Sequence, residues 1–85
     1  MKAYVLINSN RGYCGVFSSE EKAVEAAIDR YSHTFNRPAS KRKATFSGAK
    51  KSDSGKYIKV YFRLQTKGHE DEEWNPYTIL IRNLA

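Results

Sequence analysis

In the stretch KYIKVYFRLQ, residues 56–65, Tyr57, Lys59, Tyr61 and Arg63 occupy every second position. Rings and cations in a row on one side of a strand can do one definite piece of chemistry. Tyrosines stack on unpaired bases, and lysine and arginine neutralise phosphates. The intervening Ile58, Val60, Phe62 and Leu64 are apolar and predict a core-facing side. The pattern also has an ordinary reading, since tyrosine suits strands and cations keep an exposed sheet soluble. No aromatic-glycine signature of an RNA-recognition motif accompanies it.

Charge distribution sharpens the first reading. The net charge of +6 is regional: residues 37–63 hold nine cations against Asp53 alone, whereas residues 1–36 balance and residues 64–85 are slightly acidic. A concentrated basic region attracts polyanions or an acidic protein surface more strongly than the same charge spread evenly. Beyond the tyrosine row, the candidates for contact are Arg37, Lys41, Arg42 and Lys43 in and after the loop RPASKRK, and Lys50 and Lys51 on the following hairpin. The basic triplet is also what a solvated loop looks like.

Catalysis and metal binding find little support. Cys14 reads as a small hydrophobe and His33 as a helix-end residue, and no serine, cysteine or carboxylate pair stands in a catalytic motif. His69-Glu70-Asp71-Glu72-Glu73 lacks the spacing of a zinc or EF-hand site and reads as a solvated acidic loop. A second role for that loop is to fold over the basic patch and compete with acidic ligands. Trp74 beside it reads either as an anchor into the core, the preferred reading, or as an exposed hot-spot residue. The expectation is therefore no enzyme, no metal and no cofactor.

The elements that must position these residues follow from periodicity. KAYVLIN and YCGVFS flank the turn-forming run NSNRG and predict an N-terminal hairpin. SSEEKAVEAAIDRYSHTF predicts a helix, with Ser18 and Glu21 at capping-box spacing and a stripe of Val24, Ala27, Ile28, Tyr31 and Phe35. Arg37-Pro38 should end it. KATFSGAK is a weak strand joined by the turn SDSG to the tyrosine strand, and YTILIRNL is the last strand. The order β-β-α-β-β-β with one apolar helix stripe predicts an α+β two-layer sandwich, the helix on one face of a mainly antiparallel sheet. Tyr57, Lys59, Tyr61 and Arg63 then lie on the other face, joined by Lys43 and Thr45 if the hairpin pairs in register. Eighty-five residues allow a single domain, residues 1–85. The longest apolar run, Ala3 to Ile7, is far below the roughly 18 residues of a membrane span. A lone cysteine permits no internal disulfide, so a cytoplasmic setting is the default.

The segment AYVLINSNRGYCGVFSSEEKAVEAAIDRY resembles small phage-encoded and bacterial proteins in which a hairpin ending in GVFSS or GVYSS runs into an EEKA helix. The resemblance covers about a third of the chain. Its matching residues are structural: Gly15 in the hairpin, Ser18 as cap, and the helix stripe. It implies an α+β mini-domain, a bacteriophage origin and a host-cytoplasmic setting. It also implies action by binding a host or defence protein, as anti-CRISPR inhibitors do. The basic second half departs from acidic phage inhibitors that imitate DNA.

Together these readings predict a non-enzymatic binding protein. Its partner is nucleic acid, RNA or DNA, or a nucleoprotein, engaged through Lys41, Arg42, Lys43, Lys50, Lys51, Tyr57, Lys59, Tyr61 and Arg63, with Arg37 adjacent. The rival expectation is a phage-encoded inhibitor that turns the same face to an acidic bacterial protein surface. A homodimer burying this face is a third.

Overall fold

The computed structural model describes residues 1–35, 42–66 and 72–83; the side chains of residues 33–35, 42, 43 and 66 lie outside that description. The elements are β1 (Lys2–Asn8), β2 (Gly12–Phe17), α1 (Glu20–Phe35), β3 (Arg42–Lys51), β4 (Tyr57–Thr66) and β5 (Glu72–Asn83). The fold is α+β in the expected order, with one helix packed against an antiparallel sheet of five strands ordered β2-β1-β5-β4-β3. The last strand is therefore central. It pairs with β1 on one side and β4 on the other, stitching the two hairpins together.

The core forms where the alternation of the strands meets the helix stripe. Leu6, Val60, Phe62 and Ile79 are fully buried and cluster with Ala23, Ala27 and Tyr31 of α1. Leu6 faces Ile79 in register, and Val60 faces Tyr77. Alanine at two successive turns of α1 leaves little side chain between helix and sheet, so the backbones approach closely. One turn further on, Tyr31 lays its ring against Phe62 with centroids 4.4 Å apart, and Tyr77 meets both rings edge-on. Truncating Phe62 to alanine would cost on the order of 3–5 kcal/mol. All four apolar positions of the tyrosine strand are buried as the alternation predicts.

Two local expectations are corrected. The helix is capped by Ser19, not Ser18: the Lys22 amide donates to Ser19 Oγ at 3.2 Å and the Ala23 amide to the Ser19 carbonyl at 3.2 Å. Ser18 Oγ instead accepts from Lys22 Nζ at 3.4 Å, leaving the backbone amide to Ser19. The buried stripe centres on Ala23, Ala27 and Tyr31, with Val24 and Ile28 half-buried on its flank. The last strand also starts earlier than its apolar run, at Glu72, and takes in Trp74, Asn75 and Pro76. Asn75 and Pro76 together stand opposite Tyr61 as a bulge, where proline's missing N–H costs no ladder bond. With its carboxamide nitrogen turned inward, Asn75 donates to the Val60 carbonyl at 3.0 Å and the Tyr77 carbonyl at 2.6 Å. The Ser9 amide donates to the Pro76 carbonyl at 2.9 Å.

Candidate binding face

The β3–β4 hairpin sets the register of the tyrosine row. Its turn is held by the Ser52 hydroxyl, which accepts from the amides of Lys56 at 3.1 Å and Tyr57 at 3.3 Å. Gly55 supplies the positive φ of 69° that the turn requires. Pairing then places Lys50 opposite Lys59, Gly48 opposite Tyr61, Thr45 opposite Arg63 and Lys43 opposite Gln65. Because strand side chains alternate, Lys50, Lys59, Gly48, Tyr61, Thr45 and Arg63 lie on the face away from the buried Val60, Phe62 and Leu64. Lys50, Lys59 and Arg63 are exposed and Tyr61 is half-buried.

The cations and rings on this face are coupled. Lys50 Nζ lies over the Tyr61 ring, 5.4 Å from its centroid, and Lys59 Nζ lies 6.0 Å from the centroid of Tyr57. Such cation–π contacts hold flexible lysine side chains close to the rings. Arg82 of β5 is exposed on the same face, at a position with no basic neighbour in sequence, and adds a fourth cation there.

Not every predicted residue joins this face. Lys51 is one residue past Lys50 and pairs with Ile58, so it points to the helix side, where its ammonium forms an ion pair with Glu20 at the start of α1. Alternation in β3 therefore splits the two lysines between opposite faces. Arg42 and Lys43 belong to β3 by backbone, whereas Arg37 and Lys41 lie outside the described residues, as do His69, Glu70 and Asp71.

Three further features bear on this face; the sequence pattern marks Glu73 only as part of an acidic loop and Trp74 chiefly as a core anchor, and does not mark the second. Glu73 is a strand residue opposite Arg63, and its Oε2 accepts from Ser47 Oγ at 2.9 Å. Ser47 is the extra residue of a bulge in β3, so the bond reaches from β5 across β4 and sets a carboxylate within the basic region. Second, the β2-β1 side of the same face, together with Leu80 of β5, is apolar. Val16 faces Val5, Tyr13 faces Ile7 and Val5 faces Leu80, and Tyr13 and Val16 are 70% and 53% exposed. The available signal was that Ala3–Ile7 and Ile79–Ile81 are apolar at both parities, so they have apolar side chains to spare beyond the core. Third, Trp74 is half exposed and not a core anchor, because it lies near the β5 bulge beside a cleft.

Among the described residues, no three His, Cys, Asp or Glu side chains converge as a metal site would need. Cys14 is half-buried and donates its thiol to the Gly12 carbonyl at 3.3 Å. No described helix is long and apolar enough to cross a membrane. Compared with known proteins, the chain matches no family model, no curated protein and no solved structure.

Proposed function

We propose that this protein is a non-enzymatic binding domain that engages single-stranded nucleic acid through the face of the sheet opposite α1. The observation that carries the reading is the pair of lysine–tyrosine contacts, Lys50 with Tyr61 and Lys59 with Tyr57, side by side on one surface. Among the described residues, α1 packs on the other face of the sheet and no second helix covers this one. Tyrosine rings then offer stacking platforms, while Lys50, Lys59, Arg63 and Arg82 follow the backbone of the strand. The test is a titration with labelled single-stranded RNA, single-stranded DNA and duplex DNA at low and physiological salt. About four phosphate contacts predict a logarithmic salt slope near −3 on single strands. Binding that survives physiological salt and is abolished by Lys59→Glu supports the reading. Attraction erased by salt, or insensitive to Lys59→Glu, overturns it.

A second reading is favoured by the apolar half of the face. Exposed Tyr13 and Val16, continuous with half-buried Val5, Ile7 and Leu80, suit a protein partner that is apolar at one side of its contact and acidic at the other. This is the mode expected of a phage-encoded inhibitor of a bacterial host or defence protein. A homodimer through the same surface is a special case, and light scattering distinguishes it directly.

A further inference from the structure

On the helix side of the sheet, a cleft of about 580 Å³ opens between the β1–β2 turn, the second half of α1 and the start of β5. Its size lies in the range of small-molecule sites. Three aromatic side chains and two guanidinium groups line it: Tyr31, Trp74 and Tyr77, with Arg11 and Arg30. Among the described lining residues, Asp29 is the one carboxylate.

Each group is held by its local structure. Asn8 Oδ1 accepts from the amides of Asn10 at 2.8 Å and Arg11 at 3.0 Å, a side-chain-closed turn that fixes the backbone carrying Arg11. Arg30 Nη2 donates to the Cys14 carbonyl at 3.0 Å, which holds its guanidinium against the hairpin. Tyr31 and Tyr77 are buried and contact each other edge-on, with centroids 6.2 Å apart. The Tyr77 hydroxyl is pushed above its ordinary pKa by burial, against the opposing pull of Asn8, Arg30 and Arg11. Trp74, at 50% exposure, keeps much of its indole open to a ligand.

We propose that this cleft binds a small anion carried on a planar ring, the chemistry shared by nucleoside monophosphates and aryl carboxylates. The ring packs against Trp74 and the anionic oxygens meet Arg11 and Arg30. Guanidinium pairs phosphate or carboxylate through two parallel hydrogen bonds, and the indole supplies the flat apolar surface. This inference does not depend on the nucleic-acid reading, because Arg11, Arg30 and Trp74 lie on the opposite side of the sheet from Lys59.

Trp74 is the only tryptophan in the chain, so its emission reports on the cleft alone. The experiment titrates the intact protein with adenosine 5′-monophosphate, 4-hydroxyphenylacetate, adenosine and inorganic phosphate, correcting for ligand absorbance and repeating by calorimetry. The expected result is a saturable change with at least one of the two ring-bearing anions; which of them acts identifies the source. Adenosine and inorganic phosphate should bind at least about tenfold more weakly, and Arg11→Gln should weaken the anion by about tenfold or more. Arg11 is exposed in a turn, so its replacement leaves the core intact, and Lys22→Gln on α1 controls for the loss of one charge. The inference is overturned if neither ring-bearing anion saturates, if inorganic phosphate binds as well as they do, or if Arg11→Gln and Lys22→Gln behave alike.

Discussion

Lys50 and Lys59 face each other directly across the β3–β4 pairing, yet their ammonium groups lie over different tyrosine rings. Like charges placed opposite one another on a sheet repel. Here each lysine turns to a separate ring, Lys50 diagonally to Tyr61 and Lys59 along its own strand to Tyr57. The result is a repeating unit of cation and ring.

That unit makes Tyr61 the most informative residue of the face. Tyr61→Ala should weaken single-strand binding by about 1–3 kcal/mol, the range for loss of one stacked base, and should also free Lys50 from its ring. Tyr61→Phe should bind close to wild type, since stacking needs the ring and not the hydroxyl. Fluorescence anisotropy with one labelled oligonucleotide compares all three proteins. Equal affinity for the alanine variant would remove stacking on Tyr61 from the account.

Glu73 opposes the same chemistry. Its carboxylate is bonded to Ser47 across β4 and stands opposite Arg63, within the surface that would meet phosphates. Glu73→Gln keeps an oxygen for Ser47 and removes the negative charge. With one exposed charge at close range worth about 1 kcal/mol in water, polyanion binding should tighten roughly fivefold at low salt and less at high salt. The same titrations measure it. An unchanged affinity would mean that ligands do not pass over the Glu73–Ser47 bridge.

How much of this was legible in sequence depended on which physical signal dominated each segment. Strict alternation in β4 foretold all four buried residues, because a half-buried strand leaves no other solution. The helix was legible for the same reason. β5 was readable only in its apolar part: Pro76 and two glutamates argue against a strand, and the bulge that accommodates them depends on Asn75 meeting the Val60 carbonyl from another strand. Lys50 and Lys51 were adjacent and looked alike, but alternation alone separates their faces once β3 is known to run through Lys51. Arg82 and the apolar half of the face depend on which strands become neighbours. No local pattern encodes the placement of β5 between β1 and β4.

Among the described residues, two groups make stability sensitive to alkaline pH. The ion pair with Glu20 holds Lys51 above its ordinary 10.5, chiefly through the hydrogen bond, and burial raises Tyr77 above 10.0. Both folded-state values lie above the unfolded ones, so the native state binds these protons more tightly. Their contribution is complete below about pH 10 and is lost as pH rises through the raised values. Thermal unfolding from pH 7 to 11 should show a midpoint that declines only at the alkaline end. Tyr77→Phe should flatten part of that decline. Lys51→Ala should remove another part while leaving oligonucleotide affinity unchanged, since Lys51 points to the helix side. A decline centred near neutrality would contradict this assignment.

Val16 separates the two partner classes. It is 53% exposed on β2, opposite Val5, and far along the sheet from the Lys50–Tyr61 contact on β3 and β4. Val16→Glu places a charge in the apolar half and removes little from the core, so the fold should persist with a stability change of about 1 kcal/mol or less. If the face meets only nucleic acid through its basic half, the variant keeps most of its oligonucleotide affinity. If a protein partner seats across both halves, a buried unpaired carboxylate there should cost several kcal/mol, and capture of that partner from bacterial lysate should be lost. Running Val16→Glu and Lys59→Glu side by side in both assays gives each reading its own signature: loss with Lys59→Glu alone for nucleic acid, and loss with both variants for a protein.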